Sequence, residues 1–272
     1  MRIALGVEYD GTAYVGWQRQ RSGVGVQARL EAAIAKVADE PAEAICAGRT
    51  DAGVHAAGQV AHFVTRAERS ARGWLLGINS NLPDDINATW ASPVDDEFHA
   101  RYSALSRSYR YLILNRLVRS SLFRQRAWWV HEPLDAEAMA EGGTRLLGKH
   151  DFSAFRAAGC QSSTPVRDVT RLTVERRGHW IIIDITANAF LQHMVRNIAG
   201  TLVTIGRGEA APDWAAKILA GRDRKAAGVA APAHGLPFPR VDYPASTGLP
   251  PGDGDAAVIN VYDSPLRAGS RN

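Results

Sequence analysis

Two runs of strand-like residues, 169–176 and 180–187, flank the three-residue link Arg177-Gly178-His179. So short a link permits only antiparallel pairing, because a parallel return needs a crossover of a dozen or more residues. The chain therefore builds at least part of its core as an antiparallel sheet. Further strands are predicted over 2–9, with Ile3, Leu5 and Val7 on one face, over 58–65, and over 107–114, where Tyr109, Tyr111 and Ile113 share a face. Helical spacing relates Val26, Leu30, Ile34 and Val37, running to Asp39 ahead of Pro41, and again Phe190, Met194, Ile198 and Leu202. Shorter helices are predicted over 71–80, over 135–148 with Asp135 as N-cap, and from Pro212. Hairpins mixed with helices predict an α+β protein with a largely antiparallel sheet. The order strand, basic loop, helix, strand roughly recurs. This predicts two related halves, 1–100 and 101–243, with a Pro- and Gly-rich loop and tail over 244–272 that holds a strand-like AVINVY.

Composition excludes several classes. In 272 residues, 46% are hydrophobic and 22% charged, the profile of a folded chain and not of a disordered or fibrous one. Two cysteines, Cys46 and Cys160, cannot form a disulfide framework, and the absence of a CxxC pair argues against structural zinc. Apolar runs such as 180–183 stop far short of the roughly 20 residues that span a bilayer. Glu8 arrives too early for a signal peptide, so a reducing cytoplasm is the expected address.

Net charge is +4, from 32 Lys and Arg against 28 Asp and Glu. Residues 101–126 alone hold seven arginines (101, 107, 110, 116, 119, 124 and 126) and no acid. The guanidinium fork suits phosphate and stacks on bases. A nucleic-acid face and a merely solvated arginine-rich strand and loop both fit this run.

The segment CAGRTDAGVHAAG, residues 46–58, carries the chemistry. Its small residues let the backbone turn sharply and let a ligand approach. Asp51, with Arg49 two positions earlier, is a carboxylate that a guanidinium can hold ionised, available as nucleophile or base. By itself, Thr50-Asp51-Ala52-Gly53 is also an ordinary turn composition.

GRTDAGVHA closely resembles the active-site signature of the tRNA pseudouridine synthase A family. The resemblance extends to GVEYDGTAYVGWQRQ at 6–20, GQVAHF at 58–63, NLPDDI at 81–86, FHARYSALSRSYRYLI at 98–113, LLGKHDFSAFRA at 146–157 and DITANAFLQHMVRNIAGTLVTIG at 184–206. It implies the pseudouridine synthase fold, two similar halves around a largely antiparallel central sheet flanked by helices. It implies isomerisation of uridine to pseudouridine at positions 38, 39 and 40 of the tRNA anticodon stem-loop, by a cytoplasmic homodimer with no metal or organic cofactor. By matching position, Asp51 resembles the catalytic aspartate and Tyr109 the tyrosine that packs on the target uracil. Arg49 resembles the arginine that helps hold the flipped nucleotide, and Arg196 the basic partner of the aspartate. One departure is GLPFPRVDYP at 235–244, where the family pattern has an apolar strand; Pro237 and Pro239 predict an edge or broken strand.

The residue types suit that reaction. The N1–C1′ bond breaks, the uracil turns, and C5 joins C1′. No atoms are gained. Charge that builds on the ribose is stabilised or trapped by a nearby carboxylate. Asp51 is suited to attack C1′, to attack the ring, or to take the C5 proton, and the residue pattern does not choose among these. A uridine in a stem must be flipped out, and an aromatic face recovers part of that cost. Arg19, Arg21, Arg107 and Arg110 are the candidate RNA-backbone contacts. Two other classes compete. A non-catalytic RNA-binding protein would function normally with Asp51→Asn, and a nucleoside hydrolase would release free uracil.

Overall fold

The computed structural model describes residues 1–250. The N-terminal elements are β1 (Arg2–Tyr9), α1 (Val26–Ala38), β2 (Ile45–Cys46), β3 (His55–Val64), α2 (Ala71–Asn79) and β4 (Ile86–Val94). Then follow β5 (Ser106–Asn115), β6 (Trp128–Val130), α3 (Ala136–Thr144), β7 (Gly148–Asp151), β8 (Val166–Arg177), β9 (Trp180–Ala187), α4 (Met194–Gly206), α5 (Trp214–Gly221), β10 (Pro237–Phe238) and β11 (Arg240–Asp242). The molecule is α+β, as its pattern predicts.

The strands form two sheets. One runs β10-β3-β1-β4 with β2 on β3; the other runs β11-β5-β9-β8-β7 with β6 on β5. All named pairings are antiparallel except β10 with β3 and β5 with β6. The proline-bearing segment is what joins them. Pro237 and Phe238 add to β3, while Arg240 to Asp242 pair with β5. Pro239, lacking an N–H, stands at the switch, so the strand is broken and at the edge of each sheet. The crossing is close: a Cβ on Gly58 would lie 1.8 Å from the Pro239 carbonyl oxygen. The two sheets are thus stitched edge to edge between β3 and β5.

The helices cover the apolar faces as their spacing requires. Val26, Leu30 and Ile34 of α1 are fully buried, and Trp74 of α2 meets Phe63 of β3 edge-on at 5.2 Å. Ser70 caps α2 by accepting from the Gly73 N–H, and Asp135 caps α3 by accepting from Glu137 and Ala138. α4 is apolar nearly all round, with Met194, Ile198, Leu202 and Ile205 each 1% exposed or less. Each such side chain contributes roughly 1.5–3 kcal/mol on burial.

Four boundaries differ from the sequence reading. β3 starts at His55, because the end of the signature already pairs with β1 and β10. α3 stops at Thr144, and 148–151 become β7 on the edge of the β8–β9 hairpin. α4 starts at Met194, leaving Phe190 outside the helix and edge-on to Tyr109 at 5.0 Å. α5 starts at Trp214, two residues past Pro212. The AVINVY strand, residues 257–262, lies outside the described residues. Among the described residues no helix is long and apolar enough to cross a membrane.

Candidate active site

The loop carrying Asp51 leaves β2 and returns as β3, and it is pinned at almost every residue. The Ala47 N–H donates to Val60 O at 2.8 Å. The fully buried Gln59 amide clamps Gly48 from both sides, donating to its carbonyl at 2.7 Å and accepting from its N–H at 3.4 Å. The Thr50 hydroxyl meets Tyr9 Oη at 2.7 Å, and the Thr50 carbonyl accepts from Trp17 N–H at 3.1 Å. Gly16 bridges to Asp51 with φ +100°, and a Cβ there would sit 2.4 Å from the Thr50 oxygen, so this contact requires glycine. The basic loop between β1 and α1, residues 10–25, therefore packs behind the signature, with Tyr14 and Trp17 buried.

Asp51 faces the C-terminal sheet and its helix. Its side chain is 22% exposed, neither sealed nor free. Oδ2 lies 3.6 Å from Arg196 Nη1 and 3.5 Å from His193 Nε2. Arg196 is aimed by its own Nε, which donates to Ala231 O at 2.7 Å. Tyr109 of β5 is 8% exposed and stacks on Phe238 of β10, centroids 4.6 Å apart and planes 20° apart. Burial, and then the charges of Tyr9 and Asp51, push its phenol well above the ordinary range. The ring therefore offers a face and an O–H, and it is no base at neutral pH. Burial pushes the Cys46 thiol up to about 12, which removes it as a nucleophile. A hollow of about 660 Å³ lined by Leu134, Asp135, Ile205 and Pro212 lies at the far end of α4 from Asp51 and belongs to no reacting group.

The structure brings Asp51, Arg196 and Tyr109 together. Arg49 is exposed and makes no ion pair with Asp51 among the described residues, so the guanidinium facing the carboxylate is Arg196 alone. Arg19 and Arg21 are exposed, with Arg19 bridged to Glu31. Arg107 and Arg110 require correction as RNA contacts. Arg107 is 8% exposed and gives its guanidinium to the carbonyls of Ala47, Arg101, Ala104 and Asn188. Arg110 forms a two-pronged pair with Asp184 at 2.7 and 3.0 Å. Both are structural ties: the first locks β5 to the signature loop, the second crosses from β5 to β9. His193, Gln59 and Tyr9 escaped the sequence reading. Only their place inside HMVRNI, GQVAHF and GVEYDG signalled them. Among the described residues no group of three His, Cys, Asp or Glu is placed to hold a metal ion.

The family model described as tRNA pseudouridine synthase matches residues 6–103 and 144–244. The tRNA pseudouridine synthase A of Aeromonas hydrophila subsp. hydrophila is 54% identical over 250 residues, covering 92% of this chain and 93% of that one. That of Vibrio cholerae serotype O1 is 54% identical over 92% of this chain and 95% of its own. That of Shewanella amazonensis is 53% identical over 92% and 96%.

Proposed function

Because this chain belongs to the tRNA pseudouridine synthase family, we propose that Asp51 is the reacting carboxylate of a uridine-to-pseudouridine isomerase acting on the tRNA anticodon arm, at positions 38, 39 and 40. The isomerisation of uridine in tRNA is the activity of the family.

The observation that carries it is the environment of Asp51. A partly exposed carboxylate stands at the meeting of the two sheets, with a guanidinium and an imidazole on one oxygen and a protonated tyrosine nearby. Arg196 faces the Asp51 carboxylate and fixes its direction. Ionised, the carboxylate meets the positive charge that builds at C1′ as the N1–C1′ bond breaks. The uracil turns within the site, C5 forms its bond to C1′, the C5 proton passes to a base, and N1, which kept the electron pair of the broken bond, takes up a proton in its place. Asp51 serves as that base; burial keeps the Tyr109 phenol protonated and the Cys46 thiol out of reach of neutral pH. Tyr109, backed by Phe238, supplies the aromatic face on which an extruded uracil packs. Arg49, exposed beside the loop, is placed to hold the flipped nucleotide. The reaction conserves atoms and draws on no cofactor. The working form is a cytoplasmic homodimer. Support for a second copy comes from the loop after β5, where Leu117, Val118 and Leu122 are 80%, 67% and 87% exposed.

Asp51→Asn tests the reading. The variant should bind tRNA within about twofold of the parent and form pseudouridine at least about a thousandfold more slowly, the scale of a lost nucleophile or base. Uridine mapping in tRNA from cells lacking the protein, with and without a rescuing copy, checks the target. Loss confined to the anticodon arm is expected. Loss elsewhere, or free uracil among the products, would overturn the assignment.

A further inference from the structure

We infer that His193 is a positioning residue for Asp51: with Arg196 it engages one carboxylate oxygen and so turns the other toward the substrate. The inference rests on the reading of Asp51 given above. The imidazole and the guanidinium converge on Oδ2, at 3.5 and 3.6 Å. Among the described residues Oδ1 accepts no hydrogen bond. Oδ2 is thus the oxygen that both groups face at closest approach. Contacts of this length in an enzyme site tighten as the substrate closes it.

The backbone singles out His193 independently. Its φ is 62°, in the left-handed region. Only Asp39 and Arg222 share that feature among the described non-glycine residues. Those two are C-caps, of α1 and α5, where a left-handed residue satisfies the last carbonyls. His193 is the N-cap of α4, a position that ordinarily takes extended backbone, and its side chain caps nothing. Helix capping therefore does not account for the conformation. Core packing does not either, since the side chain is 33% exposed. The turn is fixed from both sides, by Met194 N–H to Leu191 O at 3.0 Å and Asn197 N–H to His193 O at 2.9 Å. What the strained backbone achieves is to place Nε2 on the carboxylate. Conformations of this kind persist where the surroundings over-determine them, and they gather at functional sites.

Arg196 and His193 divide the work. Arg196 is tied through Nε to Ala231 and supplies fixed charge. The imidazole has no other side-chain partner among the described residues, so Asp51 is the one group it orients.

The test is single-turnover rate and tRNA affinity for His193→Gly and His193→Gln, with Asp51→Asn in parallel. Glycine adopts the left-handed backbone without strain, so that variant should fold, bind tRNA within about twofold of the parent, and react about tenfold more slowly. Glutamine carries an amide nitrogen at the reach of Nε2 and should recover most of the rate at unchanged affinity. A glycine variant with the parental rate would overturn the inference, because the residue would then serve the turn alone. So would a glutamine variant that folds with the parental melting temperature yet is as slow as the glycine one. Activity retained by Asp51→Asn would instead defeat the reading of the site itself, whatever the His193 variants do.

Discussion

Burial keeps His62 of β3 neutral where the strand packs against the chain at His99 and Ala100. The residue is 3% exposed, its Nδ1 accepts the Ala100 N–H at 3.1 Å, and its ring lies 4.9 Å from that of His99. Desolvation first, then the charges of His99 and Arg2, push its pKa down from 6.5 to about 4. A histidine with a depressed folded pKa leaves the unfolded chain binding the extra proton between those two values. Its effect is therefore nil above about pH 6.5, and stability falls as pH drops through the window to about 4, by up to about 3 kcal/mol. His55, His99 and His234 are shifted in the same direction and add to the same slope. Urea midpoints measured from pH 7.5 to 4.5 should fall for the parent. They should fall less for His62→Asn, which keeps an acceptor for Ala100 but cannot take up the proton. Equal slopes in the two proteins would show that His62 is not part of the acid sensitivity. The link matters for the site because β3 also carries Gln59, the clamp on the signature loop.

At the scale of elements, the joint made by β10 and β11 decides whether the two sheets hold the site together. Tyr109 and Phe238 stack across it, and Asp51 lies on one side with Arg196 on the other. Gly58→Ala should push a methyl into the Pro239 carbonyl, where only backbone can give way. The expected cost is roughly 3 kcal/mol, and activity should fall further than the loss of folded protein explains. A variant with the parental melting temperature would mean that the joint yields easily. This joint is also where sequence reading runs short. α1, α4 and the β8–β9 hairpin are legible because each carries its own period, and Asp135 caps α3 by a local rule. β2, β6, β10 and β11 are two or three residues long, and only their distant partners make them strands. The same division holds in the site. Asp51 announces itself through a dense local signature. His193 does not, because what it touches is 142 positions away in the chain (193 minus 51). Arg107 and Arg110 look like RNA contacts in a count of charges. Arg110 is removed by Asp184, its cross-strand neighbour, and Arg107 by carbonyls up to 81 positions away.

For the whole molecule, that correction redistributes the arginine-rich stretch. Of its seven guanidinium groups, those of Arg107 and Arg110 are spent inside the protein, Arg126 pairs with Asp10, and Arg116 donates to the Val118 carbonyl. Arg101, Arg119 and Arg124 are exposed, the first lying 5.6 Å over the ring of Tyr102. Together with Arg19 and Arg21 on the early loop, these are exposed groups able to meet phosphate. Affinity that comes from neutralising phosphates is driven by counterion release, so each lost contact lowers the slope of log affinity against log salt by about 0.7 to 0.9. Two double variants divide the surface: Arg19→Ala with Arg21→Ala, and Arg119→Ala with Arg124→Ala. Each should weaken tRNA binding and reduce the salt slope by about 1.5, while the rate from the bound complex stays at the parental value. Because Arg19 is bridged to Glu31, its pair should give the smaller change of the two. A pair that leaves both affinity and slope untouched lies off the RNA path, and the tRNA then crosses the molecule on the other side of the signature loop.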